Sequence, residues 1–339
     1  MGAEAIDIAS AFFRPMFDIH EHNLGGIVGH RILDTATGQS LHILTGCGAS
    51  FQSLVLKTAA TELQELIVGY ADEEDCLRTA GTDYRGCFLF PFPNRLAGGR
   101  YEWQGHEYQF ELNDGGRPNA LHGLWPTAAF QYRSSTVGED FGTLVIGKTI
   151  GSAESGAYPF DMDVQLEFTL SANKGLAVVV QVHNLGKTDA PFGVGYHPYF
   201  AAPKGLENYK FAMPPCLEYE VDGNLVPTGI QRQNFAFAEG AKVDMALDAG
   251  FAFGPDLPIV LAQLTDSEAE TTVTMWQMAG STGMRYLQIY TPPTRDRIAI
   301  EPMSCPANAM QTGEGLRTLA PGQAAAFSFG VRLDRFSPA

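Results

Sequence analysis

His197 lies within Gly193-Val-Gly-Tyr-His-Pro-Tyr-Phe200, directly before a proline and among aromatic and apolar neighbours. The residue before a proline is pushed to extended geometry, so His197 is expected in a strand or at a strand edge. Gly193 and Gly195 let other groups approach the backbone closely. An imidazole there can move a proton near neutral pH. Tyr196, Tyr199 and Phe200 offer flat, amphipathic surface of the kind that packs against a sugar ring. A carboxyl partner is available in Arg297-Ile-Ala-Ile-Glu-Pro302. There Ile298 and Ile300 point one way, while Glu301 shares a face with small Ala299 at the strand's end. Such a carboxylate, locked by the following proline, can be partly buried with a raised pKa.

Three further segments carry polar groups. Phe90-Pro-Phe-Pro-Asn-Arg95 places the amide of Asn94 and the forked donors of Arg95 after two stiffening prolines. His122 precedes a glycine in Asn119-Ala-Leu-His-Gly-Leu124. In Tyr286-Leu-Gln-Ile-Tyr290, alternation puts Tyr286, Gln288 and Tyr290 on one face. Each segment alone has an ordinary reading as a core histidine, a surface arginine or a solvated strand residue.

The elements that must hold these residues are mostly strands. Met162, Val164, Leu166, Phe168 and Leu170 alternate with polar residues from Asp161 to Leu170, and Leu176 to Asn184 repeats the pattern. Ser171 to Gly175 reads as the hairpin loop between them. Tyr286 to Tyr290 and Arg297 to Ile300 form a second pair across a Pro-rich turn, and Gly99 to Tyr108 a short hairpin. Ala59 to Val68 is the best helix candidate. No repeat, low-complexity tract or linker interrupts the chain. A large all-β sandwich with few short helices, one domain over residues 1–339, is the expected architecture.

The formal charge of −16 argues against nucleic acid or an anionic membrane as partner. No apolar stretch approaches membrane-spanning length, and Met1 to Ser10 carries acids where a signal peptide has basic residues. Five cysteines without a C-x-x-C pair read as reduced thiols in a cytoplasmic protein. Monomer and homodimer both remain open.

The order and flanks of these segments resemble the aldose 1-epimerase (galactose mutarotase) family. The matching pieces are Ile67-Val-Gly-Tyr70, Pro91-Phe-Pro-Asn-Arg-Leu-Ala-Gly98, Leu121-His-Gly123 and Gly195-Tyr-His-Pro-Tyr-Phe200. Gln288-Ile-Tyr-Thr-Pro-Pro293, Ile300-Glu-Pro-Met-Ser-Cys-Pro-Ala-Asn-Ala309 and Leu319-Ala-Pro-Gly322 complete the series. The resemblance implies a galactose mutarotase-like supersandwich whose concave face binds a free monosaccharide without a cofactor or metal. It implies Glu301 as general base at the C1 hydroxyl, His197 as general acid at the ring oxygen, and His122 as a hydrogen-bonding partner near that oxygen. Asn94, Arg95 and Gln288 would hold sugar hydroxyls. Asp248, three residues before Phe251, matches a further hydroxyl-binding carboxylate, with Asp244 as its rival. The family commonly has a second glycine after His-Gly, where this chain has Leu124.

Opening a hemiacetal needs one group to take a proton while another gives one, which a carboxylate and an imidazolium can do together. Two other functions fit parts of the pattern. A hexose-phosphate epimerase would want more Arg or Lys beside the site than Arg95. A non-catalytic carbohydrate-binding protein would need the aromatics but not His197 and Glu301 together. A metal enzyme is disfavoured because His122, His197 and Glu301 lack close ligand spacing.

Overall fold

The structure, a computed structural model, describes residues 16–58 and 60–336. The amino-terminal residues Met1 to Ser10 and Ala59 lie outside the described residues.

Strict alternation becomes a half-buried strand wherever the sequence shows it. Every second residue of Met162–Ser171 is buried from Met162 to Leu170, and its polar neighbours are only partly covered. It pairs antiparallel with Gly175–Asn184, Met162 opposite Asn184 and Ser171 opposite Gly175, so the hairpin falls where the glycine predicts. This hairpin belongs to a nine-stranded antiparallel sheet. In spatial order the strands are Gln131–Val137, Phe141–Ile150, Met162–Ser171, Gly175–Asn184, Ala324–Arg335, Thr271–Met278, Ile259–Asp266, Tyr209–Ala212 and Ala241–Lys242.

A second large sheet carries the chemistry. Its path runs Pro227–Asn234, Cys216–Val221, Asp248–Ala252, Tyr286–Tyr290, Arg297–Met303, Gly195–Tyr196 and Phe88–Leu89. Tyr199–Ala201 also pairs with Arg297–Met303. The sheet's central strands are covered on both faces: four of the five residues of Tyr286–Tyr290 are buried. A third sheet of five strands, from Phe17–Glu21 to Gln64–Glu65, packs beside these two. The result is an all-β sandwich.

Phe51 joins the three sheets. Its ring centroid lies 6.0 Å from Phe168 and 6.5 Å from Phe329 of the nine-stranded sheet, and 4.6 Å from Tyr196 of the sheet bearing the candidate site. Aromatic contacts of this kind add to the stabilisation from burial itself. Tyr196 also sends its hydroxyl to the Ala49 carbonyl.

The helix expected at Ala59 to Val68 is absent from the described part of that segment, which holds the short strand Gln64–Glu65. The helix lies further on, at Glu73–Asp83 (α1). Asp72 caps it by accepting from the Asp75 N–H at 2.8 Å, and Glu73, Glu74 and Asp75 put negative charge in the first turn. Only Cys76, Thr79 and Ala80 are buried on its inner face. Small residues at that spacing leave no apolar stripe to read, which is why periodicity missed the helix. Arg85 ties both ends down, reaching Asp75 and Asp83 at 2.7 Å each. The chain leaves α1 through Tyr84 in left-handed geometry, φ 53°, where glycine is the usual residue. All five cysteines are free and buried.

Replacing Phe51 by Ala removes a ring that contacts residues of all three sheets. It is expected to cost about 3–5 kcal/mol, read as a lower denaturation midpoint in urea.

Candidate active site

Two segments face each other through a reciprocal exchange. The His122 N–H donates to the Asn94 carbonyl at 2.9 Å, and the Asn94 N–H donates to His122 Nδ1 at 3.1 Å. Both residues take left-handed backbone geometry, φ 60° for Asn94 and 64° for His122. Gly123 follows at φ 73°, and a Cβ there would sit 2.2 Å from the Phe90 carbonyl oxygen, so only glycine fits. Because His122 Nδ1 accepts, its ring proton is on Nε2, the remaining donor. Burial, then His197 and Arg95, hold the His122 imidazole well below its ordinary pKa. It is a neutral hydrogen-bond donor.

His197 sits between Gly195–Tyr196 and Tyr199–Ala201. Its N–H donates to Cys87 O at 3.0 Å, and its carbonyl accepts from Gly86 N at 2.9 Å. The extended geometry set by Pro198 turns Tyr196 into the core and His197 to the opposite side. Gly195 is needed here, since a Cβ would come 2.8 Å from the Pro93 Cβ. Tyr196 and Phe200 are wholly buried in the core, so of the three aromatics expected to offer sugar-packing surface only Tyr199 lines the cavity.

Glu301 is not at the end of its strand. Arg297–Met303 continues past it, because Pro302 stands opposite Leu287 while Gln288 stands opposite Glu301. The carboxyl is therefore more deeply buried than a strand-end glutamate, 2% exposed. Its Oε1 lies 3.4 Å from His197 Nε2, and neither Glu301 Oε2 nor His197 Nδ1 has a protein partner. Burial, then the Asp248 charge, raises the Glu301 pKa well above the carboxylate range. Burial lowers that of His197 to about 4. Desolvation acts on both groups in the same sense, favouring the neutral form of each and opposing the carboxylate–imidazolium pair expected from the sequence.

The remaining predicted residues converge on the same cavity. Gln288 Nε2 donates to Asp248 Oδ1 at 2.6 Å, and Gly250 leaves room for it, since a Cβ there would meet Gln288 Oε1 at 3.1 Å. Arg95 bridges two carboxylates, Asp114 at 2.9 Å and Asp248 at 3.5 Å. Asp248, Asn94, Arg95, Gln288, His122, His197 and Glu301 all line a cavity of about 330 Å³. Asp244 lines a separate one, with Phe237 and Met245. Small Ala299 stands opposite both Tyr199 and Tyr290, whose rings are 6.4 Å apart.

A family model described as aldose 1-epimerase matches residues 32–332. The chain belongs to the aldose 1-epimerase family. It is 31% identical over 249 residues to YihR, an uncharacterized protein of Escherichia coli (strain K12), covering 70% of this chain and 75% of YihR. It is 25% identical over 210 residues to the galactose mutarotase of Rattus norvegicus, covering 58% of this chain and 55% of that protein. Its fold matches the crystal structure of a galactose mutarotase-like protein from Clostridium acetobutylicum, with a TM-score of 0.81, 19% identity, and coverage of 94% and 99% of the two chains. Galactose 1-epimerase from Lactobacillus acidophilus matches with a TM-score of 0.77, 15% identity, and coverage of 96% and 100%.

In this aldose 1-epimerase family member, sequence reasoning missed part of the cavity wall. Thr82, Asp83 and Tyr84 come from the end of the unforeseen α1, and Asp114 and Arg117 from the loop between strands His106–Gln109 and Asn119–Leu121. The cap signal Asp72 followed by three acids could have found α1. Asp114 is held by Asn119 Nδ2 at 2.8 Å as well as by Arg95, and nothing local in the sequence marks that network.

A buried carboxyl with a raised pKa keeps its proton at pH values where the unfolded chain has released it. It therefore withdraws stability as pH rises above about 4.3. Glu301→Gln should melt higher than wild type at pH 7. The gap should close as pH falls towards 4.5, and calorimetric melts across that range read it directly.

Proposed function

We propose that this protein is an aldose 1-epimerase acting on a neutral free hexose such as galactose or glucose. Its proton-transfer pair is Glu301 and His197. The observation that carries the reading is the 3.4 Å approach of two wholly buried, otherwise under-bonded groups of complementary chemistry in a cavity lined by hydroxyl-binding residues.

In the ring-closed complex the reacting form of the pair is Glu301 carboxylate and His197 imidazolium. Glu301 takes the proton of the C1 hydroxyl, the C1–O5 bond breaks, and His197 gives its proton to O5. The products are the open-chain aldehyde, a protonated Glu301 and a neutral His197. Burial favours the neutral form of each group, which is the form this step produces, and ring closure runs the same transfers in reverse. Rotation about C1–C2 and the reverse transfers close the other anomer. In this reading the neutral His122, donating through Nε2, hydrogen-bonds at the ring oxygen. Arg95, Asn94, Asp248 and Gln288 orient the remaining hydroxyls.

The balance of charge supports a neutral sugar over a sugar phosphate. Four carboxyl-bearing residues, Asp83, Asp114, Asp248 and Glu301, face two guanidinium groups, Arg95 and Arg117. Both guanidiniums lie within 4 Å of an acid, Arg95 at 2.9 Å and Arg117 at 3.8 Å from Asp114. A phosphate dianion would have to displace those contacts. The paired acid and base likewise speak against a purely carbohydrate-binding role.

Polarimetry on fresh α-D-galactose and α-D-glucose tests the reading. Wild type should speed mutarotation well above buffer with or without a chelator. Glu301→Gln and His197→Asn should each lose roughly 100- to 10,000-fold. A folded wild type that accelerates no aldose, or a Glu301→Gln variant at full rate, would overturn the assignment.

A further inference from the structure

Tyr84 occupies a position that backbone energetics assign to glycine. It caps α1 at φ 53°, a region that bulky side chains rarely enter and that recurs at functional sites. Its side chain explains the choice. The ring is buried and packs edge-on against His122, with centroids 4.6 Å apart, and it lines the cavity. The phenol oxygen accepts from Asn113 Nδ2 at 3.4 Å. Asn113 is itself fixed by both backbone groups of Leu121, accepting from its N–H at 2.7 Å and donating to its carbonyl at 3.2 Å. The hydroxyl is therefore anchored as an acceptor from behind, while its own proton has no protein acceptor among the described residues. Burial raises the phenol to about pKa 12, with Cys87 and Asp114 adding to the rise and Arg95 opposing it. The hydroxyl thus stays protonated, near the Arg95–Asp114 end of the cavity.

Building on the mutarotase reading, we propose that Tyr84 is a further substrate-contacting residue, donating its phenolic hydrogen to one ring hydroxyl of the bound aldose. A contact of this kind is made equally with closed and opening sugar, so it contributes to binding more than to turnover. Its partner is a hydroxyl other than that on C1, which in this reading is served by Glu301.

The test compares wild type with Tyr84→Phe on the accepted aldose and its monodeoxy analogues. Tyr84→Phe keeps the ring against His122 and removes only the donor. KM should rise about tenfold, with kcat within about twofold and an unchanged pH profile. One monodeoxy analogue should cost wild type a similar factor, and Tyr84→Phe should no longer distinguish that analogue from the parent sugar. An unchanged KM, or penalties that multiply for every deoxy position, would overturn the contact. If wild type accelerates no aldose, the mutarotase reading falls. Titration calorimetry of galactose and glucose onto both proteins then judges Tyr84 by itself. A dissociation constant about tenfold weaker in Tyr84→Phe supports the contact, and equal constants or no binding to either protein overturns it.

Discussion

The site depends on the exchange between Asn94 and His122. Two backbone segments 28 residues apart in sequence are locked face to face by a pair of hydrogen bonds, one of which ends on an imidazole nitrogen. That second bond does two jobs. It satisfies a buried N–H, and it fixes which ring nitrogen carries the proton. The cost is two side chains in left-handed backbone geometry, about 1–2 kcal/mol each. Strain of this size persists where surrounding structure over-determines it. Here Gly123 packed on the Phe90 carbonyl provides that restraint.

Around this lock, the sheet supplies position and dryness. Asp248, Gln288 and Glu301 come from three adjacent strands in fixed antiparallel register, with Gln288 opposite both Gly250 and Glu301. Aromatic packing lies behind the sheet, and the burial it helps provide raises the Glu301 pKa and lowers that of His197. The wall opposite comes from α1, held in place by Arg85 reaching acids at both of its ends.

Strands with one wet face announced themselves in the sequence, because alternation survives wherever a side chain must choose between core and water. Met162–Ser171 and its hairpin partner fall where that pattern puts them. The seven expected site residues meet at one cavity, through motifs that each combine a polar group with a backbone constraint. What stayed hidden was whatever lacks periodicity. Helix α1 buries only small residues, and Glu301 looked like a strand end because proline ordinarily stops pairing. Tyr196 and Phe200 read as ligand surface because sequence alternation cannot say which face is core when both are apolar. The raised Glu301 pKa is legible in the sequence, and the depth of its burial is not.

The register of the three central strands carries a consequence for how this protein fails. The cavity gathers residues from Thr82 to Glu301, so no fragment or half-formed sheet contains a working set. Contacts of such long sequence separation are slow to form. A one-residue slip of Arg297–Met303 would also turn Glu301 to the opposite face, leaving a compact molecule with its carboxyl pointing away from His197. Under the proposed function, activity would report only fully registered molecules. It would discriminate correct folding more sharply than secondary-structure content can, because a slipped sheet retains its strands and loses only the placement of Glu301.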